Sequence, residues 1–289
     1  MIRKVVVPAA GLGTRLFPAT KEQPKEMLPI FSTTAHGNMS VKPVVQMVFE
    51  QLYDAGLREF CYVVGRGKRG MEDHFTPDVD CIRNLEGMGK NSQATDLEDF
   101  YEKLENSTIM WVNQPKPKGF GNAVLMSQPF VQNEQCLVHA GDSCIISKDM
   151  DYLKKLLSVY ERFKADAAFI VLEIENPKQY GIIEGDEVDP GIFKVKAAIE
   201  KPEKPATNLA IMAMYVFHPI IFKALEATKP GKDGEIQLTD GIQKLVDWGL
   251  KVYAVKLDKS YSHLDIGSPE RYWAALELSY KQFCKRPTT

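Results

Sequence analysis

Residues 5–29 read VVVPAAGLGTRLFPATKEQPKEMLP. Val5, Val6 and Val7 form an apolar β-branched run that suits a strand buried on both faces, and the small residues Ala9 and Ala10 lead out of it. Gly11 and Gly13 permit a tight turn whose backbone N–H groups can approach an anion. Arg15 adds a guanidinium fork and Lys25 an ammonium point charge, so the run reads as a phosphate-handling loop at the end of a strand. Two other Gly-rich patterns do not fit. A dinucleotide fingerprint needs a glycine where Leu16 stands, and a P-loop needs Gly-Lys-Ser/Thr after four intervening residues.

Working outward, apolar β-rich runs at 3–8, 59–65, 108–113, 135–140 and 166–174 alternate with helical patterns at 43–55, 121–130 and 149–163. That is the rhythm of βαβ units, and it predicts an α/β fold with a Rossmann-like, mostly parallel sheet flanked by helices. From Tyr180 the pattern changes to two strands joined by an Asp/Pro/Gly turn, then a strand at 209–217, so antiparallel insertions are expected there. A strand near 251–257 and a helix at 269–284 follow, with no Ser/Gly-rich linker or internal repeat, and residues 1–289 are read as one domain with insertions. Residues 77–106 are expected to be a solvated helical excursion, and 32–42 a polar loop.

Composition narrows the class. The 289 residues are 44% hydrophobic and 26% charged, enough to bury a sizeable core. A formal net charge of -2 argues against a nucleic-acid coat or a polybasic membrane surface, so neither nucleic acid nor membrane is expected as a partner. Cys61, Cys81, Cys136, Cys144 and Cys284 are odd in number and form no CxxC pair, which predicts buried free thiols rather than disulfides or a zinc site. The chain enters strand-like sequence within a few residues and has no apolar run long enough to span a bilayer, so a cytoplasmic protein is expected.

Asp142 follows the apolar strand in LVHAGDS, and Asp265 sits similarly in YSHLDIGS. A carboxylate at the C-terminal edge of a strand in such a sheet faces the crevice where ligands bind. Two hard carboxylates from distant segments suit Mg²⁺, which keeps several waters and takes its remaining ligands from substrate phosphates.

The chain as a whole resembles the sugar-1-phosphate nucleotidyltransferases. PATKEQPKEMLPI, GRGKRGMEDHF, NQPKPKGFGNAV, LVHAGDS, YGIIE, IEKP, NLAI, GEIQLTD and HLDIGS occur in that family's order, nearest to its branch acting on UTP and glucose 1-phosphate. The resemblance implies a nucleotide-binding part over about 1–145 and a sugar-phosphate part over about 146–289. It implies attack by the sugar phosphate on the α-phosphorus of UTP with Mg²⁺ as cofactor, giving UDP-glucose and pyrophosphate, and a homo-oligomer. Arg15, Lys25 and Lys201 would be catalytic; Ala10, Gly11, Gly13, Thr14, Gln114, Pro117, Gly119 and Asp142 would meet the nucleotide; Gly181, Glu200, Lys201, Asn208 and Glu235 would meet the sugar phosphate; Asp142 and Asp265 would hold the metal. The Gln114 amide could pair with both a donor and an acceptor of uracil, with Gly119 giving backbone contact.

Some residues depart from the family pattern. Ser143 stands where a second Asp is usual, and Ala213-Met214 replaces a small residue, Gly and Arg before a strand, so a cation near the sugar would be missing. Arg66, Lys68 and Arg69 read ordinarily as a solvated basic turn, with a structural or phosphate-steering role as the alternative that the resemblance leaves open and no catalytic one, and His74 and His263 receive no role. The alternatives are a dTTP- or other hexose-1-phosphate-specific transferase and a non-catalytic sugar-nucleotide-binding regulatory subunit.

Overall fold

In the computed structural model, which describes residues 2–34, 36–147, 150–231, 234–258 and 260–283, the opening apolar run is β1 (Lys4–Pro8), buried along its whole length. After it come β2 (Pro29–Thr33), β3 (Met39–Pro43), α1 (Val44–Asp54), β4 (Glu59–Val64), α2 (Arg69–His74), α3 (Val79–Gly87), α4 (Asn91–Glu105) and β5 (Thr108–Asn113). The middle of the chain gives α5 (Phe120–Met126), α6 (Gln128–Val131), β6 (Cys136–His139), β7 (Ser143–Ile146), α7 (Asp151–Arg162), β8 (Ala167–Glu173), β9 (Gly181–Asp189) and β10 (Ile192–Glu200). The last part gives β11 (Leu209–Phe217), α8 (Ile220–Glu226), α9 (Leu238–Asp247), β12 (Val252–Lys256), β13 (Ser262–Asp265) and α10 (Pro269–Phe283).

Nine strands form one mixed sheet in the order β5-β4-β1-β6-β11-β8-β12-β10-β9. Its first four are parallel, whereas β11 runs antiparallel to both β6 and β8. Alternate side chains feed two cores, one on each face, as strand geometry requires. Val5, Val7, Phe60, Tyr62 and Ile170 pack with α1, α4, α7 and α10, while Val6, Cys61, Val63, Phe169 and Val171 pack with α5, α6, α8 and α9. The α/β layering expected from the βαβ rhythm is therefore present.

Strand order also explains where ligand chemistry can collect. β1 lies between β4 and β6, so the connections leaving it diverge, and a crevice opens beyond the C-terminal ends of the parallel strands. The Gly-rich loop leaves β1 there, Gln114 leaves β5, and Asp142 follows β6. On the other half, Glu200 at the end of β10 is paired with Gly181 at the start of β9.

Four local expectations are corrected. Residues 32–42 are not a loop: β2 and β3 form an antiparallel hairpin with Phe31 opposite Val41, and its Ile30 is fully buried. The excursion at 77–106 is two helices, and α4 sinks Phe100 and Leu104 into the core beside Phe49 and Phe75, so only part of it is solvated. The helical pattern at 121–130 divides into α5 and α6 because Pro129 has no N–H to continue the first helix. Cys61, Cys136 and Cys144 are buried free thiols, but Cys81 is half-buried, and Cys284 lies outside the described residues. So do Asp149, where the helical pattern at 149–163 was expected to begin, and the expected end of the last helix at 284. Among the described residues no helix is long and apolar enough to cross a membrane.

Candidate active site

Two recesses open at the crevice. The smaller, about 360 Å³, is lined by Ala10, Gly11, Gly13, Thr14, Gln114, Pro117 and Gly119. The larger, about 920 Å³, is lined by Arg15, Glu200, Lys201, Asp265 and others from the second half of the chain. Lys25, Phe120, Asp142 and Glu235 belong to both walls and mark the junction.

Local structure fixes this lining. Gly13 adopts φ 65° as the chain enters a short 3-10 turn at Thr14–Leu16, and Thr20 Oγ1 donates to its carbonyl at 2.8 Å. A β-carbon at Gly13 would also crowd Thr20, so the turn needs glycine. Gly119, at φ 95°, lies against the 235–237 segment, where an added β-carbon would fall 2.7 Å from the Ile236 carbonyl oxygen. Ile236 N donates to Lys118 O at 2.8 Å and Gly121 N to Ile236 O at 2.9 Å. The close approach anticipated at Gly119 is therefore made by the protein's own backbone, which ties the two recesses together.

Gln114 is buried, and its amide nitrogen donates to Gly119 O at 3.2 Å and Asn122 Oδ1 at 2.8 Å. Both amide hydrogens are thus used within the protein. Gln114 offers a ligand only its carbonyl oxygen, not the two-way pairing expected from its residue type.

At the junction, Lys25 Nζ donates to Asp142 Oδ2 in a largely buried ion pair. Burial opposes the Lys25 ammonium, but the carboxylates of Asp142, Glu26 and Asp265 outweigh it and raise its pKa. Burial likewise disfavours the Asp142 carboxylate, and the Lys25 charge and hydrogen bond hold its pKa below the usual carboxylate range. Asp265 comes from the neighbouring strand: β13 pairs with β7 so that Asp265 stands opposite Ser143, and Ile266 N donates to Asp142 O at 3.3 Å. Asp265 Oδ1 accepts from Gly267 N at 2.7 Å, and Oδ2 from Arg271 Nη1 at 2.6 Å. Arg15 reaches the same Gly267 turn.

On the sugar-phosphate side, Glu200 Oε2 accepts from Thr239 Oγ1 at 2.7 Å, and Lys201 Nζ lies 3.4 Å from Glu200 Oε1. Glu235 Oε2 accepts from Gln237 Nε2 at 2.8 Å. Gly181 faces Thr239 and Glu200 in a side recess. Asn208 is exposed at the foot of β11 and does not line either main recess. Ser143 does line the larger one. Met214 is buried on β11 and only Ala213 reaches that recess, so position 214 is a core position here.

The sequence reading missed several lining residues: Phe120, Lys178, Gln179, Arg271 and His263. His263 has a lowered pKa, chiefly from burial, with Asp265 and Asp142 opposing. Lys68 is not part of a solvated turn either: it is buried and ion-paired with Glu26.

Two carboxylates set side by side, each matched by a cation, suit a metal ion that takes most of its shell elsewhere. Among the described residues no group of three or more His, Cys, Asp or Glu side chains forms a complete metal site. The oxygen-only chemistry of Asp142 and Asp265 fits Mg²⁺, which commonly binds one or two carboxylates and substrate phosphates.

Residues 4–282 match the nucleotidyl transferase family. The chain belongs to this family. It is 36% identical over 291 residues to the UTP–glucose-1-phosphate uridylyltransferase of Pseudomonas aeruginosa, covering 99% of this chain and 98% of that one. It is 40% identical over 248 residues to the enzyme of the same name from Bacillus subtilis strain 168, covering 84% of this chain and 80% of that one. A crystal structure of UDP-glucose pyrophosphorylase complexed with UDP-glucose superposes with a TM-score of 0.82 at 32% identity, covering 98% of this nucleotidyl transferase and 100% of that chain. The mixed sheet, the flanking helices and the C-terminal helix are thus those of a uridylyltransferase neighbour.

Proposed function

We propose that this nucleotidyl transferase moves a uridylyl group from UTP to glucose 1-phosphate, releasing pyrophosphate. One observation carries the reading: the two recesses meet at the Lys25–Asp142 pair, where a nucleotide in one and a sugar phosphate in the other would bring their phosphates together. The named relatives and the UDP-glucose-bound neighbour supply the substrate class.

In this reading the smaller recess takes the nucleotide. The Gln114 carbonyl oxygen accepts the uracil N3–H, and Gly11, Gly13 and Thr14 present backbone to the triphosphate beside Ala10 and Pro117. Arg15 and Lys25 neutralise the phosphates. Lys201 meets the sugar phosphate, and Glu200, aligned by Thr239, accepts from sugar hydroxyls with Glu235. Gly181 shapes that wall, whereas Asn208, exposed and outside the recess lining, takes no part in it.

A phosphate monoester is largely ionised near neutral pH, so no protein nucleophile is required. Catalysis rests on in-line positioning and on charge stabilisation of the reacting phosphoryl group. Asp142 and Asp265 would hold Mg²⁺, which supplies Lewis-acid stabilisation of phosphate charge when bound. The cytoplasmic location and homo-oligomeric assembly expected from the sequence remain part of the proposal.

The test is direct. Purified protein with UTP, glucose 1-phosphate and Mg²⁺ is expected to release pyrophosphate and form UDP-glucose in equal amounts, with dTTP a poorer donor. Binding of UDP-glucose without any pyrophosphate release would instead identify a regulatory sugar-nucleotide binder.

A further inference from the structure

Arg271 lies outside every motif quoted above, yet it reaches the larger recess from the first turn of α10. Its Nη1 donates to Asp265 Oδ2 at 2.6 Å, its Nη2 donates to Gln179 Oε1 at 3.0 Å, and its guanidinium lies 4.8 Å from the centre of the Tyr180 ring. The amide and the ring fix the orientation of the guanidinium without cancelling its charge. Only Asp265 forms an ion pair with it among the described residues.

Asp265 is also one of the two carboxylates suited to a divalent cation. A carboxylate shared between a guanidinium and a dication is held less strongly by either, so the two compete electrostatically. A phosphate monoester arriving beside Lys201 would offer the guanidinium a better-matched partner, because its oxygens accept the planar fork in two parallel bonds. The exchange leaves every charge paired: Asp265 with the cation, Arg271 with the phosphate.

We propose that Arg271 is a phosphate-binding residue of the sugar-phosphate half of the site, held on Asp265 until a divalent cation takes that carboxylate. The inference rests on the proposed uridylyl transfer and extends it to a residue on α10. Gln179 and Tyr180 are the supports that keep the guanidinium at the recess wall during the exchange.

The experiment compares the wild type with Arg271→Gln and Arg271→Lys, all checked for thermal unfolding. Mn²⁺ alone, titrated by electron paramagnetic resonance without nucleotide, reads the competition for Asp265; steady-state kinetics reads the phosphate. In Arg271→Gln, Mn²⁺ affinity is expected to rise at least about threefold and KM for glucose 1-phosphate at least about tenfold, with KM for UTP within about twofold. Arg271→Lys keeps the charge and loses the fork, so its Mn²⁺ affinity should stay near wild type while KM for glucose 1-phosphate recovers only in part. If Arg271→Gln folds and either its Mn²⁺ affinity or its KM for glucose 1-phosphate is unchanged, the proposal is overturned. Failure of the wild type to release pyrophosphate would sink the uridylyl-transfer reading instead, and the Mn²⁺ titration tells the two failures apart.

Discussion

Lys68 Nζ lies 2.6 Å from Glu26 Oε2, and both side chains are almost wholly buried. The pair joins the turn after β4 to the segment that carries Lys25, so it sets the cation at the junction from behind. Burial pushes the Glu26 pKa up while Lys68 and Lys25 pull it back, and the carboxyl depends on those ammonium groups to stay ionised. Lys68→Met should therefore destabilise the protein by about 3 kcal/mol, the typical cost of leaving one partner of a buried pair alone. Adding Glu26→Gln should recover much of that loss. Urea unfolding of the single and double variants measures it, and a double variant no more stable than the single one would show that the pair is not the cause.

Asp142 and Asp265 carry the metal reading. Asp142→Asn and Asp265→Asn are each expected to lower turnover about a hundredfold or more, equivalent to about 3 kcal/mol of transition-state stabilisation. An amide oxygen can still accept from Lys25, so Asp142→Asn should remain folded. Near-normal turnover at saturating Mg²⁺ in either folded variant would remove the carboxylates from the mechanism.

How much of this was readable from the chain depends on what each residue type reveals locally. The strand at 209–217 and the strand at 108–113 were visible end to end because β-rich runs bounded by turn residues are a local signal. Motif residues that follow parallel strands, such as Gln114 and Asp142, converge because strand order brings those ends together. Arg271 and Gln179 carried no such signal: an arginine in a helix's first turn looks solvated until the 9-stranded sheet brings α10 to the crevice. Lys68 and Glu26 were hidden for the same reason, since charged residues default to the surface. The burial of α4 did have a signal, the helical spacing of Leu97, Phe100, Tyr101 and Leu104, masked by the acidic residues among them. The hairpin at β2 and β3 was obscured because its inward face includes Ser32, a buried polar residue in an otherwise strand-like alternation.

His139 gives a pH signature separate from catalysis. Its ring is buried and Nδ1 lies 2.7 Å from Ala140 O, and burial lowers its pKa from 6.5 to about 4. In the unfolded chain it would protonate near the ordinary value, so the unfolded state binds more protons between those two values. The stability associated with the neutral ring is complete above pH about 6.5 and is lost as pH falls toward about 4. Between pH 7 and 5 the loss is on the order of 2 kcal/mol. His139→Gln should shrink the difference in unfolding free energy between those two pH values by that order. An equal pH dependence in wild type and variant would show that His139 is not the group responsible.

The β2–β3 hairpin tests whether fold and chemistry can be separated. It is attached to the body through Ile30 in the core, Phe31 N donating to Ser279 Oγ at 3.3 Å, Tyr272 OH donating to Pro29 O at 3.0 Å, and the Phe31–Tyr280 ring contact. Its outer half closes on itself, with Thr34 N donating to Asn38 O at 2.9 Å, and none of the described residues in 32–40 lines either recess. Replacing Ser32–Ser40 by a short Gly-containing turn should leave turnover within about tenfold, or about 1.4 kcal/mol. Ile30→Ala removes core atoms instead, and should cost about 3 kcal/mol of stability with little change in turnover per folded molecule. Pyrophosphate release and urea unfolding on both variants separate the two effects. A folded hairpin-shortened variant of unchanged oligomeric state that has lost all activity would place the hairpin in the active site after all.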